Sequence, residues 1–185
     1  RSTLPELPAA RRKRFETQYG LPPYQSEVLT SSAEIADYFE EVLKTFSDAR
    51  QVSNWVMGDI LRILNDQKIS TDKLRVTPSR LGTLLQLIKS GTVSDRAARK
   101  VIDTIQAEDK DPAVIIDELG LKQVSDSGTL EAAVKKIIDE HPGEVQRYKA
   151  GEKKLMGFFV GQAMKATAGA GNPREINNIV TRLLG

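Results

Sequence analysis

Cysteine is absent from this chain of 185 residues, and histidine occurs once, at His141. Without thiols there are no disulfides and no thiolate chemistry. With a single imidazole, zinc sites and serine–histidine triads have almost nothing to work with. Only 5% of residues are aromatic, and no apolar run approaches the roughly 18 residues of a membrane span. The opening Arg1-Ser2-Thr3-Leu4-Pro5 has neither an initiator Met nor an apolar signal core, so the chain reads as a piece of a longer one. Apolar–polar alternation never persists beyond a few positions, which leaves no convincing strand. No pair of carboxylates is spaced in a way that demands acid–base chemistry. The acidic stretch Glu108-Asp109-Lys110-Asp111 lacks the glycine and terminal glutamate of a calcium loop and reads as a loop and helix cap.

What the sequence does have is a core's worth of apolar residues, 39%, and 28% charged residues, which excludes global disorder. The net charge of +2 is unevenly placed. Residues 1–20 carry five basic and two acidic side chains, and so do residues 151–185, which leaves an acidic middle. Basic ends on an acidic body point a polyanionic partner to the ends, unless the asymmetry is ordinary variation among solvated charges.

Helical periodicity dominates. Ile35, Tyr38, Phe39, Val42, Leu43 and Phe46 form one apolar stripe. Ser31 and Glu34 before them have the capping-box spacing. Further helices are expected over Val52 to Leu64 and around Leu81 to Ile88, the latter with Thr77 as cap, Pro78 in the first turn and Gly91 as stop. Others follow Ser94 and span Pro112 to Leu119, ending at Gly120. The turn formers of Lys122 to Gly128 mark a boundary. Beyond it come a run from Leu130 to Ile138 stopped at His141-Pro142-Gly143, a short helix near Glu144 to Tyr148, and helices over 153–167 and 173–184. The fold class is therefore all-α. The expected organisation is a first helix and linker over 1–30, a helical domain over 31–122 and a small helical tail over 127–185.

Three segments are candidate sites. The first is Lys153 to Lys165, a helix apolar nearly all round, with Gly157 and Gly161 four residues apart on one face. Each glycine costs a helix interior about 1 kcal/mol relative to alanine. Close approach of another helix backbone would offset that cost. So would close approach of a nucleic-acid backbone, with Lys153, Lys154 and Lys165 supplying charge. The second is the loop Thr167 to Arg174 (TAGAGNPR), which leads into a helix capped by Asn172. It is either a plain turn or a phosphate contact made by the amides around Gly169 and Gly171, the helix N-terminus and the Arg174 fork. The third is Arg11-Arg12-Lys13-Arg14, either a solvated helix face or a contact for RNA or an acidic domain.

Lys154 to Thr167 (KLMGFFVGQAMKAT), followed by Gly169 and Asn172-Pro173, closely resembles the C-terminal signature of the B subunit of the aspartyl/glutamyl-tRNA amidotransferases. Ser53 to Asp59 (SNWVMGD) resembles that family's helical domain. Pro5-Glu6-Leu7-Pro8 and Arg11 to Tyr19, followed by Gly20-Leu21, resemble its link to a catalytic cradle. From about Tyr38 onward the chain also resembles the free-standing YqeY-like proteins, in which residues 1–30 would have no use.

The resemblance implies a segment of a cytoplasmic enzyme that converts Glu-tRNA(Gln) to Gln-tRNA(Gln), and often Asp-tRNA(Asn) to Asn-tRNA(Asn). In that family ATP and Mg²⁺ act in the cradle, so this segment is expected to hold no cofactor, no metal and no catalytic residue. The A subunit supplies ammonia from glutamine, and the C subunit ties the other two together. The helical domain and tail grip tRNA(Gln) or tRNA(Asn), the tail at the outer corner of the L. Carried onto this sequence, the expected RNA contacts are Lys153, Lys154, Gly161, Lys165, Gly169, Gly171, Asn172 and Arg174. Ala170 stands where the family often has a lysine, which weakens a charge contact there. The rival reading is a helical protein-interaction scaffold without RNA contact.

Overall fold

The structure, a computed structural model, describes residues 6–123 and 127–185. The opening Arg1 to Pro5, with the first residue of the expected cradle link, lies outside the described residues. So do residues 124–126, inside the expected boundary. The described chain is all-α: α1 (Pro8–Tyr19), α2 (Pro23–Leu29), α3 (Ala33–Thr45), α4 (Ala49–Trp55), α5 (Leu61–Gln67), α6 (Pro78–Lys89), α7 (Asp95–Glu108), α8 (Pro112–Glu118), α9 (Ser127–Glu140), α10 (Pro142–Lys149), α11 (Met156–Ala166) and α12 (Pro173–Leu184). Among the described residues no helix is long and apolar enough to cross a membrane.

The punctuation of these helices follows their chemistry. Thr77 caps α6 by accepting from the Arg80 amide at 3.3 Å, and Ser94 caps α7 through the Ala97 amide at 3.2 Å. Gly91 and Gly120 close α6 and α8 with φ of +74° and +60°, a left-handed conformation that costs a residue with a Cβ. The cap of α3 differs from expectation by one residue. Ser32, rather than Ser31, accepts the Ile35 amide at 3.2 Å, so Glu34 is not the partner in a capping box. The helix expected over Val52 to Leu64 is longer and not uniform. A π-helical turn, Val56–Ile60, joins α4 to α5 and contains Gly58, a poor helix former.

The chain forms two compact units, Arg1–Gln86 with Ala98–Ile115, and Leu87–Ala97 with Ile116–Gly185. In the first unit the buried stripe of α3 (Ala36, Phe39, Val42) packs in a core with residues of α1, α4, α6 and α7 such as Phe15, Val52, Leu84 and Ile102. Phe15, Tyr19 and Phe39 form an aromatic cluster with ring centroids 5.1 to 5.6 Å apart. Gln25 bonds Ser53 at 2.9 Å and Asn54 at 3.3 Å, tying α2 to α4. Arg80 neutralises the acidic loop, reaching Asp109 at 2.6 Å and Asp111 at 3.0 Å. In the second unit α9, α10, α11 and α12 enclose their own core, which includes Leu130, Val134, Tyr148, Phe159, Ile176 and Val180.

The basic run on α1 divides: Arg12 and Lys13 lie on a solvated face, while Arg11 and Arg14 turn to α3. Glu40 of α3 accepts from Arg11 and Arg14, each at 2.5 Å at closest, and from the Tyr19 hydroxyl at 2.7 Å. Arg11 also reaches Asp37, and Arg14 reaches Glu6. Arg12 and Lys13 pair more loosely, at 3.8 Å with Glu27 and 3.4 Å with Glu16. Burial pushes the Glu40 carboxyl up, but the hydrogen bonds from Arg14, Tyr19 and Arg11 outweigh it and hold it at about 2. A carboxylate depressed in this way adds stability above its unfolded pKa, near 4.5, and loses it as pH falls toward 2. Glu40→Gln should therefore destabilise the chain by about 2 kcal/mol at pH 7. The difference from wild type should shrink between pH 4.5 and pH 2. Urea unfolding at several pH values measures it, and a gap that stays constant down to pH 2 would contradict this role.

Candidate nucleic-acid interface

α11 has one fully buried stripe, Phe159 and Ala163, set against the core with α9 and α12. Met156, Phe158, Val160 and Met164 flank it and are half-buried. Gly157 and Gly161 lie on the side left over, and both are exposed. A Cβ built on either would meet nothing within 4 Å. Among the described residues no helix approaches them, so the helix-packing explanation of these glycines finds no support within the described chain. An exposed mid-helix glycine has a cost that nothing within the molecule offsets.

Lysines bracket this bare backbone. Gly157, Gly161 and Lys165 follow one another at four-residue spacing on one side of α11, and Lys154 lies in the 3₁₀ turn just before it. Lys154 and Lys165 are exposed. Lys153 leans over the ring of buried Tyr148, its Nζ 4.2 Å from the centroid, a cation–π contact that fixes the side chain without neutralising it.

Ion pairing separates the tail's cations into two groups. Lys135, Lys136, Arg147 and Arg182 pair with Glu131, Glu140, Glu152 and Glu131 respectively. Among the described residues, Lys149, Lys153, Lys154, Lys165 and Arg174 have no carboxylate partner. These five lie at the end of α10, in the 3₁₀ turn Lys153–Leu155, on α11 and at the start of α12. Lys149 was not anticipated, because its sequence neighbours gave no sign that it would stay unpaired.

Of the two readings of the glycine-rich loop, its backbone has the form of the plain turn. The Ala168, Gly169 and Ala170 amides donate to the Lys165, Met164 and Thr167 carbonyls at 2.7 to 3.0 Å. The Gly171 amide donates to the Thr167 hydroxyl at 3.1 Å. The loop is a Schellman closure of α11 with Ala168 in the left-handed position at φ +51°. Its amides are internally engaged and form no open cradle for an anion. Gly171 is buried, and a Cβ there would sit 2.6 Å from Thr167 Oγ1 and 2.7 Å from Ile176 Cδ1. Asn172 is buried too, and its Oδ1 accepts the Arg174 amide at 3.0 Å as the cap of α12. Gly171 and Asn172, expected to face RNA, are instead structural. Gly169 and the Arg174 side chain remain exposed.

The described chain is thus an all-α one whose tail carries five cations without a carboxylate partner among the described residues, two of them, Lys154 and Lys165, on either side of the exposed Gly157 and Gly161 in sequence. Residues 37–184 match the family described as the GatB domain, and the chain belongs to that family. The B subunit of the aspartyl/glutamyl-tRNA(Asn/Gln) amidotransferase of Prosthecochloris aestuarii is 44% identical over 184 residues, 100% of this chain and 38% of that protein. The B subunit of Geotalea daltonii is 45% identical over 181 residues, 98% of this chain and 38% of that protein. That of Clostridium botulinum strain Alaska E43 is 43% identical over 181 residues, again 98% and 38%. The chain therefore spans about two-fifths of the length of the relatives it matches.

Two glycines of the tail should respond to alanine with opposite signs. Gly161→Ala adds a methyl to open surface and removes a helix-interior glycine, so it should stabilise by up to about 1 kcal/mol. Gly171→Ala drives a methyl into Thr167 and Ile176 and should destabilise by about 1–3 kcal/mol. Urea midpoints of the two variants decide this; equal shifts of one sign would contradict the placement.

Proposed function

We propose that this chain is the tRNA-gripping part of a B subunit of the aspartyl/glutamyl-tRNA amidotransferase type. The observation that carries the reading is the exposed Gly157–Gly161 backbone bracketed by Lys154 and Lys165, with Arg174 at the start of α12 and none of the three cations ion-paired among the described residues. A helix without side chains on one face lets a ribose–phosphate backbone come close, and flanking lysines neutralise its phosphates. Contacts of this kind recognise shape and 2′-hydroxyls rather than base edges, which suits the corner of a folded tRNA. The contact surface is thus Lys153, Lys154, Gly157, Gly161, Lys165, Gly169 and Arg174.

On this proposal the whole enzyme uses ATP and glutamine to convert Glu-tRNA(Gln) or Asp-tRNA(Asn) to the amidated product, together with its A and C subunits. No step of that chemistry falls to these residues. On the same proposal ATP and magnesium act in the rest of the B subunit. Against the protein-scaffold reading, the exposed lysines beside Gly157 and Gly161 favour a polyanion over a partner helix.

The test is a titration of the 185-residue chain with tRNA(Gln) and tRNA(Asn) transcripts at rising salt. About three phosphate contacts should give a log–log slope of roughly −2 to −3. Lys154→Glu/Lys165→Glu should weaken binding at low salt by more than about tenfold and flatten that slope. The same reversal at Lys135 and Lys136 should have little effect. Equal binding by the Lys154/Lys165 variant and wild type would sink the proposal.

A further inference from the structure

We infer that Asn172 is a positioning residue with two functions, of which capping α12 is only one. Its side chain is buried, with 6% exposure, and both of its polar atoms are used. Oδ1 accepts the Arg174 amide at 3.0 Å. Nδ2 donates to the Gly91 carbonyl at 3.4 Å, in the turn that closes α6, 81 residues away in sequence. A cap needs only an acceptor, and serine or aspartate would supply one equally well. Asparagine alone among the good caps offers an acceptor and a donor on the two ends of one rigid group.

The other half of the contact is equally restricted. Gly91 has φ +74°, and a Cβ there would lie 2.1 Å from Asn172 Nδ2. A side chain at position 91 would therefore expel the amide that binds its carbonyl. The same turn takes a second tie, from the Gln123 amide to the Thr92 carbonyl at 2.8 Å. Beside these bonds lies an open cleft of about 190 Å³, bordered by Val93, Ser94, Pro173 and Arg174. The Asn172–Gly91 hydrogen bond thus ties the 91–94 turn to the start of α12 at the edge of that cleft. The pair works as a latch. It fixes where α12 begins, and so where Arg174 and the 168–171 loop project.

The RNA consequence rests on the function proposed above; the latch itself does not, and hydrogen exchange tests it separately. The measurement uses the 185-residue chain as wild type, Asn172→Ser, Gly91→Ala and the double variant. Serine keeps the cap, so protection of the Arg174 amide should stay within about twofold. Loss of the donor should lower protection of the Gln123 amide roughly three- to tenfold. Gly91→Ala should do the same from the other side, and the double variant should be no worse than the poorer single one. Unchanged Gln123 protection in Asn172→Ser, or additive losses in the double variant, would overturn the latch. With tRNA, Asn172→Ser should bind roughly three- to tenfold more weakly. Its salt slope should match that of wild type, because no charge has changed. Wild-type affinity despite lost protection would overturn the positioning role. Failure of wild type itself to bind RNA would instead remove the proposed function and leave the exchange result standing.

Discussion

Phe159 and Ala163 fix which way α11 faces, and the character of the tail follows from that choice. They are the helix's fully buried residues, locked into the core with α9 and α12. Burying that stripe leaves Gly157 and Gly161 on the solvent side, and with them Lys154 and Lys165 at helical spacing. Two glycines there weaken the helix, and no described residue packs against them. On the function proposed above, a ribose–phosphate backbone takes that place.

The two basic ends of the chain turn out to be physically unlike. At the first, Arg11 and Arg14 converge on Glu40, with Tyr19 completing the carboxylate's set of donors. That charge is neutralised, and its work is to clamp α1 to α3. At the second, Lys153, Lys154, Lys165 and Arg174 face no carboxylate among the described residues. Equal formal charge at the two ends is thus largely paired at one and free of carboxylate partners, among the described residues, at much of the other. The 168–171 loop sharpens the contrast. With its amides donated to Lys165, Met164 and Thr167, it has no open backbone N–H groups for phosphate, so the proposed RNA contact rests on side chains. Ala170 contributes none.

Much of this architecture was legible in the sequence. The apolar stripes of α3, α6, α7 and α12, the caps at Thr77, Ser94 and Asn172, and the stops at Gly91 and Gly120 all follow from local rules. α2 did not stand out, because its seven residues are too few for a stripe to emerge and its packing rests on Gln25 reaching Ser53 and Asn54. The π-helical turn at Val56–Ile60 shifts the helical register, which a fixed period cannot capture. Ser31 and Ser32 are chemically identical, and only the path of the chain decides which one caps. The site was less legible for a related reason. A glycine looks the same in sequence whether its missing side chain admits a neighbour, as at Gly171, or open space, as at Gly161. Whether a cation is paired depends on carboxylates 26 or 29 residues away, as for Arg14 and Arg11 with Glu40.

On the proposed function, the bare face of α11, rather than the basic run of α1, meets RNA. Amide chemical-shift mapping of the 185-residue chain titrated with a tRNA(Gln) or tRNA(Asn) transcript tests it most directly. The largest, salt-sensitive perturbations are expected at Gly157, Gly161, Lys165 and Arg174, with Arg11 to Arg14 silent. Perturbations centred on α1 and α3, with α11 unmoved, would contradict it.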